Sequence, residues 1–509
     1  MLKNHPKGLL GAALSNMGER FGFYIMMAIL SLFLLSKFGL DKTAATAIYS
    51  VFYALIYLLA LVGGIIADKT KKYKTVILVG LLLMAVGYLI IAIPTPTPVP
   101  NFTFYLILTC IGLFTIAFGN GLFKGNLQAV VGQMYDNPEY SSKRDTGFQI
   151  FYMFINIGAL FAPLIAVGIR NWWVERNGFA YNSDLPALCH EFLKGKITPE
   201  ASARFTELAG QVSNGAVPSD LTAFANQYLN VFNTGFHYAF GAAIVAMIIS
   251  LIIYLSNKSK LPNPATKAHH HDAAEIKMSQ DEIKQRLYAL FAVFGVVIFF
   301  WFSFHQNGVT LTFFANDYTD LSMISINLGF TTLKGAEIFQ FFNPFFVVFL
   351  TPIIIGYFGW LRAKGKEPST PRKIAIGMGI AALAFLVMVI GSTGLPSASE
   401  VKAMGGLTDA QRVSPFVLII TYLILTIAEL FISPLGLSFV SKVAPPQYQG
   451  IMQGAWLGAT ALGNQLLIFG TIFYESIPIW ATWAVFVAAC LISMFTMLFM
   501  VKWLERVAK

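Results

Sequence analysis

Five ionisable side chains stand where the surrounding sequence is apolar: Glu19, Arg20, Lys124, His305 and Glu429. A charge at the centre of a bilayer costs roughly 2.5–3.5 kcal/mol on insertion scales, so such residues either neutralise one another or mark the path of an ion or a substrate. Glu19 and Arg20 lie in a stretch that is otherwise apolar from about Leu9 to Leu35. At helical spacing Asn16, Glu19, Arg20, Phe23, Tyr24 and Met27 share one face, so these polar groups can point together into a bundle. Lys124 sits among glycines in Gly119-Asn120-Gly121-Leu122-Phe123-Lys124-Gly125-Asn126, where it must find a partner or snorkel to the surface. Glu429 has Ser433 one turn on beside Pro434, and is either a protonated structural acid or a site for a cationic group. His305 brings a side chain whose charge ordinarily changes between about pH 5 and 8. Opposite fixed charges together with groups able to exchange a proton are the chemistry this set offers.

The elements that must hold these residues are membrane-spanning helices. Of 509 residues 56% are hydrophobic and only 12% charged, about half the charge of a soluble domain. Apolar windows recur at roughly 9–35, 45–67, 75–95, 103–130, 147–169, 233–256, 286–315, 336–360, 373–392, 414–440, 448–473 and 479–501, each long enough to cross a bilayer. They are unbroken runs without strand alternation, so the backbone is satisfied within helices and the class is an all-α integral membrane protein with about twelve spans. The net charge of +10 follows the topology. With the N-terminus inside, the outer loops hold only Lys37, Lys42, Arg170, Arg176, Lys194, Lys196, Arg204, Lys334, Lys402 and Arg412 of the 35 basic residues, whereas inner segments hold clusters such as Lys69, Lys71, Lys72 and Lys74. That asymmetry orients the chain with both termini cytoplasmic, and no motif supports nucleic-acid binding.

Cys110 and Cys490 fall within spans and Cys189 in an outer loop, so no disulfide is expected. The first apolar run is too long for a cleaved signal and stays as a helix. From Arg170 to about Asn230 the chain is polar, with two helical-looking stretches at Pro199 to Leu208 and Leu221 to Leu229, which suits a small helical cap or a flexible insertion. His269-His270-His271-Asp272 lies on a Pro-containing linker, and successive residues of that kind do not make a tetrahedral metal site. Asn343-Pro344 and Pro352 predict a kinked helix. Asn156 is open to substrate or to a neighbouring helix.

Several motifs together resemble the proton-coupled oligopeptide transporter family of the major facilitator superfamily. Glu19-Arg20-Phe21 with Tyr24 is similar to the family's first-helix motif of two glutamates and an arginine. Phe123-Lys124 with Asn126 resembles its fourth-helix lysine motif, Phe151-Tyr152-Met153 with Asn156 its fifth-helix motif, and Glu429 through Gly436 with Trp456 its tenth and eleventh helices. Gly64 and Asp68, ahead of the basic Lys69 to Lys74 cluster, resemble the superfamily's loop between helices two and three, implicated in conformational change. The resemblance covers roughly 8–169 and 286–475. It implies two six-helix bundles around a cavity that opens alternately to each side. The N-terminal bundle would take 1–169 and, with helix six, 232–256. An extracytoplasmic insertion would occupy 170–231, a cytoplasmic linker 257–285 and the C-terminal bundle 286–509, and the linker is too short for the two extra helices of many bacterial members.

The resemblance further implies a symporter importing di- and tripeptides with protons through a bacterial-type inner membrane, as a monomer in lipid without cofactor or metal. Arg20 and Lys124 would receive the peptide carboxylate and Glu429 the amino group, with Tyr24, Tyr57, Asn156, Gln306, Asn343, Ser433 and Trp456 lining the pocket. Glu19, Arg20, Lys124, His305 and Glu429 would carry proton coupling. Opposite charges on opposite bundles in a low-dielectric cavity suit a zwitterion of fixed length. Three positions depart from the pattern: Asn16 replaces the first glutamate, His305 the glutamate before the helix-seven glutamine, and Met27 a common arginine. The alternatives are a divergent carrier of another small anionic or amphipathic metabolite and a non-transporting peptide sensor. An intramembrane enzyme lacks any Ser-His, metal-ligand or paired-aspartate constellation within the spans.

Overall fold

The computed structural model describes residues 5–140, 144–262, 278–445 and 448–507. In chain order the helices are α1 (Leu9–Phe38), α2 (Lys42–Thr70), α3 (Tyr73–Ala92), α4 (Phe102–Met134), α5 (Arg144–Arg176), α6 (Leu185–Leu193), α7 (Pro199–Val212), α8 (Leu221–Asn257) and α9 (Gln280–Phe304). They continue with α10 (Thr310–Tyr318), α11 (Phe342–Ala363), α12 (Thr370–Gly391), α13 (Ala398–Met404), α14 (Phe416–Val443), α15 (Gln449–Gln465), α16 (Leu467–Ser476) and α17 (Ile479–Val507). Among the described residues twelve helical stretches are long and apolar enough to cross a membrane. Their positions follow the apolar windows of the sequence. The His269 to Asp272 cluster lies outside the described residues.

Local sequence explains the ends of these helices. Asp41 caps α2 by accepting from the Ala44 amide at 2.6 Å, and Asn101 caps α4 by accepting from Phe104 at 3.0 Å. Gly39, at φ 57°, ends α1 in the left-handed conformation that glycine adopts without strain. Helices α1 to α5 and α8 pack into one bundle and α9 to α12 with α14 to α17 into the other. Small residues bring α2, α3 and α4 together. A Cβ on Gly80 would stand 2.7 Å from the Gly119 carbonyl oxygen, and one on Gly119 would stand 2.7 Å from that of Gly80. Gly63 meets Gly121 still more closely, and Asn126 Nδ2 donates to the Gly63 carbonyl at 3.0 Å.

Two spans are broken at related places. A 3₁₀ turn at His305–Gly308 separates α9 from α10, and the span of α15 and α16 breaks at Leu466. The breaks are tied to each other: His305 Nδ1 donates to Asn464 Oδ1, and Gln306 Nε2 to the Leu467 carbonyl at 3.4 Å. Pro344 falls in the first turn of α11 and Pro352 in its interior.

Among the described residues the halves are bonded to each other at one end. Lys42 pairs with Asp317 at 2.7 Å, Thr43 donates to Glu475 at 2.6 Å, and the Thr46 and Thr471 hydroxyls meet at 2.9 Å. Arg170 pairs with Glu337, both fully buried, and Asn171 Nδ2 donates to the Thr332 and Lys334 carbonyls at 2.7 and 2.8 Å. Among the described residues every hydrogen bond and ion pair between the halves lies at this end, which also carries the segment between α5 and α8. Farther along, the halves touch through apolar contacts such as Leu61 at Gly454. The conformer is closed on the insertion face.

The insertion differs from its sequence-based reading. α5 runs on to Arg176 and α8 begins at Leu221, so the part outside the long helices is 177–220 rather than 170–231. The stretch from Leu221 to Leu229 is the first part of the sixth span. Cys189 is buried on α6 because its neighbours form an apolar face against α8, and it is not a loop thiol open to reagents.

Candidate functional site

Glu19 and Arg20 occupy successive positions on α1, the most enclosed of the spans, and are 0% and 4% exposed. Arg20 Nε donates to Glu19 Oε2 and Nη2 to Oε1, each at 2.5 Å, a parallel fork that fixes both side chains. Asn120 Nδ2 on α4 donates to Glu19 Oε1 at 2.6 Å, and the Arg20 guanidinium lies 4.5 Å over the Phe23 ring. Arg20 is therefore committed to its neighbour. Asn16, one turn earlier, is buried with its amide nitrogen unpartnered, and Met27 is buried.

Lys124, inside the fourth span, is not committed to a carboxylate among the described residues. Its Nζ lies 5.3 Å over the Tyr57 ring, and among the described residues it has no ion-pair partner. Tyr57 belongs to a ladder on α2, where Tyr49, Tyr53 and Tyr57 recur at every fourth position with ring centroids 5.9 and 5.8 Å apart. In the other half Glu429 on α14 is half-buried, and its Oε2 accepts from Asn343 Nδ2 at 2.8 Å. Asn343 Nδ2 also reaches the Thr426 hydroxyl at 3.1 Å. Lys124 on α4 and Glu429 on α14 thus stand on different bundles. Ser433 is half-buried one turn beyond Glu429.

Other candidate residues are engaged elsewhere. Gln306 is fully buried: its amide nitrogen donates to the Phe302 carbonyl at 3.2 Å and its oxygen accepts from Thr310 at 2.8 Å, which leaves it bracing α9 against α16. Trp456 is wedged against Gly436 and Phe294 between α14, α15 and α9. Asn156 donates to the Tyr152 carbonyl of its own helix at 3.1 Å. His305 is held between the rings of Tyr53 at 4.6 Å and Trp301 at 4.9 Å as well as by Asn464, and no carboxylate pairs with it among the described residues. Gly64 has open space around it, and Asp68 accepts from the Tyr73 hydroxyl, which pins the α2–α3 turn.

The sequence profile of the POT family matches residues 73–269 and 263–480. The chain belongs to the POT family. The peptide transporter YePEPT of Yersinia enterocolitica is 30% identical over 90% of this chain and 86% of its own length. Dipeptide and tripeptide permease B of Xenorhabdus bovienii is 26% identical over 100% of this chain and 97% of its own. A crystal structure of the peptide transporter POT in complex with sulfate superposes with a TM-score of 0.73 at 24% identity, covering 100% of this chain and 96% of that one. As a POT family member the chain is a multi-pass membrane protein with the major facilitator fold of two six-helix bundles, and its relatives are transporters rather than enzymes.

Several residues of the site escaped sequence reasoning. Asn120, the third group on Glu19, sits inside the quoted lysine motif of this POT member but carries no charge to single it out. The i, i+4, i+8 spacing of Tyr49, Tyr53 and Tyr57 was a readable signal for an aromatic face on α2. The close-contact glycine of the second helix is Gly63, the neighbour of the motif's Gly64.

Proposed function

We propose that this chain is a secondary active symporter that moves di- and tripeptides together with protons by alternating access. The observation that carries the reading is the placement of Lys124 on one bundle, over the Tyr57 ring, and of Glu429 on the other, bonded by the neutral Asn343. Such a site matches a zwitterion: the peptide carboxylate goes to Lys124 and the amino group to Glu429, where charge-assisted hydrogen bonds are strongest because water is excluded. The names of the POT relatives support peptides as the substrate class. Gly64 and Asp68 act at the turn that rearranges between states. One chain suffices for the cycle, since both bundles belong to it, and the membrane is a bacterial-type inner membrane.

Purified protein in liposomes tests the reading. Di- and tripeptides are expected to accumulate under an inward proton gradient and only to equilibrate without one. Gradient-driven accumulation of another small zwitterion with no uptake of any peptide would replace the peptide assignment with a different cargo.

The orientation has both termini and the 257–285 linker cytoplasmic and the insertion outside, from the distribution of basic residues. Because Cys189 is buried, the test uses an introduced thiol at Val217, which is 56% exposed. An impermeant thiol reagent on intact cells should label Val217→Cys and spare Ser279→Cys. Labelling of position 279 alone would invert the orientation.

A further inference from the structure

The segment 177–220 is bonded to both halves of the molecule. On its own half it is firmly seated. His190 Nε2 donates to the Ser36 carbonyl at 2.7 Å, and Lys194 Nζ to the Gly39 carbonyl at 3.2 Å. Phe205 on α7 packs its ring 4.8 Å from Phe192 and 6.0 Å from Phe224, which joins the segment to the beginning of α8. Burial keeps His190 below the ordinary histidine range, so it is a neutral donor rather than a mobile charge. The segment therefore moves with the N-terminal bundle.

Its other side grips the C-terminal bundle. Arg412 Nη2 donates to Asp184 Oδ2 at 2.7 Å, with the two side chains 5% and 10% exposed. The same guanidinium donates from Nη1 to the Asn316 carbonyl at 2.8 Å and from Nε to the Leu407 carbonyl at 3.2 Å. Thr198 Oγ1 donates to the Ala403 carbonyl at 2.6 Å, and Lys402 pairs with Glu191 at 3.1 Å. Two glycines make room for the contact. A Cβ on Gly405 would stand 2.9 Å from Ala201 Cα, and one on Gly406 would stand 2.7 Å from the Asp184 carboxylate. Both have positive φ, 77° and 103°, which side chains rarely adopt. Burial pushes the Asp184 carboxyl up and Arg412 pulls it back down, so the acid is held in a dry contact rather than at a solvated surface.

We propose that the insertion is a latch: a rigid extension of the N-terminal bundle that docks on the α13 loop and Arg412 and holds the insertion face closed. The inference rests on the alternating-access reading, under which the halves must part on this face. The latch contacts then break as one unit, since one rigid body carries all of them. The exposed Lys402 and Glu191 pair contributes little, being screened by solvent. Asp184 with Arg412 and the Thr198 hydroxyl carry the selectivity for the docked geometry.

The test is a reversible cross-link paired with a distance measurement, on a Cys110→Ser background. Thr198→Cys with Ala403→Cys should be joined by a short bis-methanethiosulfonate reagent. Peptide uptake should then fall tenfold or more and return with reductant. Uptake unchanged while the cross-link is complete overturns the latch, as does failure of the pair to cross-link when each thiol reacts singly. Spin labels at Val217 and Asp409 give a readout independent of substrate: Asp184→Asn should enlarge the longer-distance population relative to the parent. An unchanged distribution in Asp184→Asn also overturns the proposal. If the protein carries no peptide at all, the distance result still decides the latch and only the assignment of cargo fails.

Discussion

Glu429→Gln and Lys124→Ala are each expected to lower dipeptide uptake by about tenfold or more while the protein still inserts and folds. A hydrogen bond to a charged group contributes about 1.5–3 kcal/mol, and about 1.4 kcal/mol is a factor of ten in binding. Neither residue is needed to neutralise a buried partner. Glu429 is bonded by the neutral Asn343 at 2.8 Å and Lys124 rests on the Tyr57 ring, so removing one charge leaves no opposite charge stranded. The two variants should differ in which end of the substrate they ignore. Wild-type protein should lose most of its affinity for an amino-blocked dipeptide, whereas Glu429→Gln should bind blocked and free dipeptides almost alike. Lys124→Ala should show the same indifference to amidation of the carboxylate. Competition binding in detergent measures both, and wild-type uptake by both variants would remove these residues from the peptide site.

How far the sequence disclosed this arrangement depends on the kind of feature. The spans were legible because a bilayer demands long uninterrupted apolar runs, and nothing in tertiary packing can disguise them. The charged residues were legible for the same reason, standing out as costs that only function or pairing explains. What could not be read was commitment. Arg20 and Lys124 are equivalent cations in the sequence, yet Arg20 is forked onto Glu19 while Lys124, among the described residues, meets only an aromatic ring. That distinction depends on Asn120 arriving from α4 to fix the Glu19 carboxylate. Gln306 and Trp456 follow the family pattern, but here they brace helices, a use decided by the glycines at 470 and 436 that let them in. The insertion was readable as polar and partly helical. Its docking was not, since Asp184 and Arg412 are far apart in the chain and meet only through the closure of the two bundles.

The commitment of Arg20 leads to the last expectation, that Glu19→Gln abolishes proton-driven uptake and leaves counterflow within a few-fold of wild type. With Glu19 ionised, its two oxygens hold the Arg20 guanidinium. A proton on Glu19 would dissolve that fork and free Arg20 to join Lys124 in receiving a substrate carboxylate. Proton and peptide then favour each other's binding because the carboxylates of Glu19 and of the peptide compete for one cation, and the coupling is reciprocal. Glutamine imitates the protonated acid permanently, so the carrier can still exchange substrate across the membrane but gains nothing from a gradient. His305 offers a different path with Asn16 and His305 standing where acids are usual. Its ring is occupied by Asn464, Tyr53 and Trp301, with no carboxylate beside it among the described residues. His305→Gln preserves a donor toward Asn464 and should keep both driven uptake and counterflow, with the pH optimum displaced. Parallel measurements of driven accumulation and of counterflow, which needs no net proton movement, separate the two. Accumulation intact in Glu19→Gln would move the proton to another group, and loss of accumulation alone in His305→Gln would identify that group as the histidine.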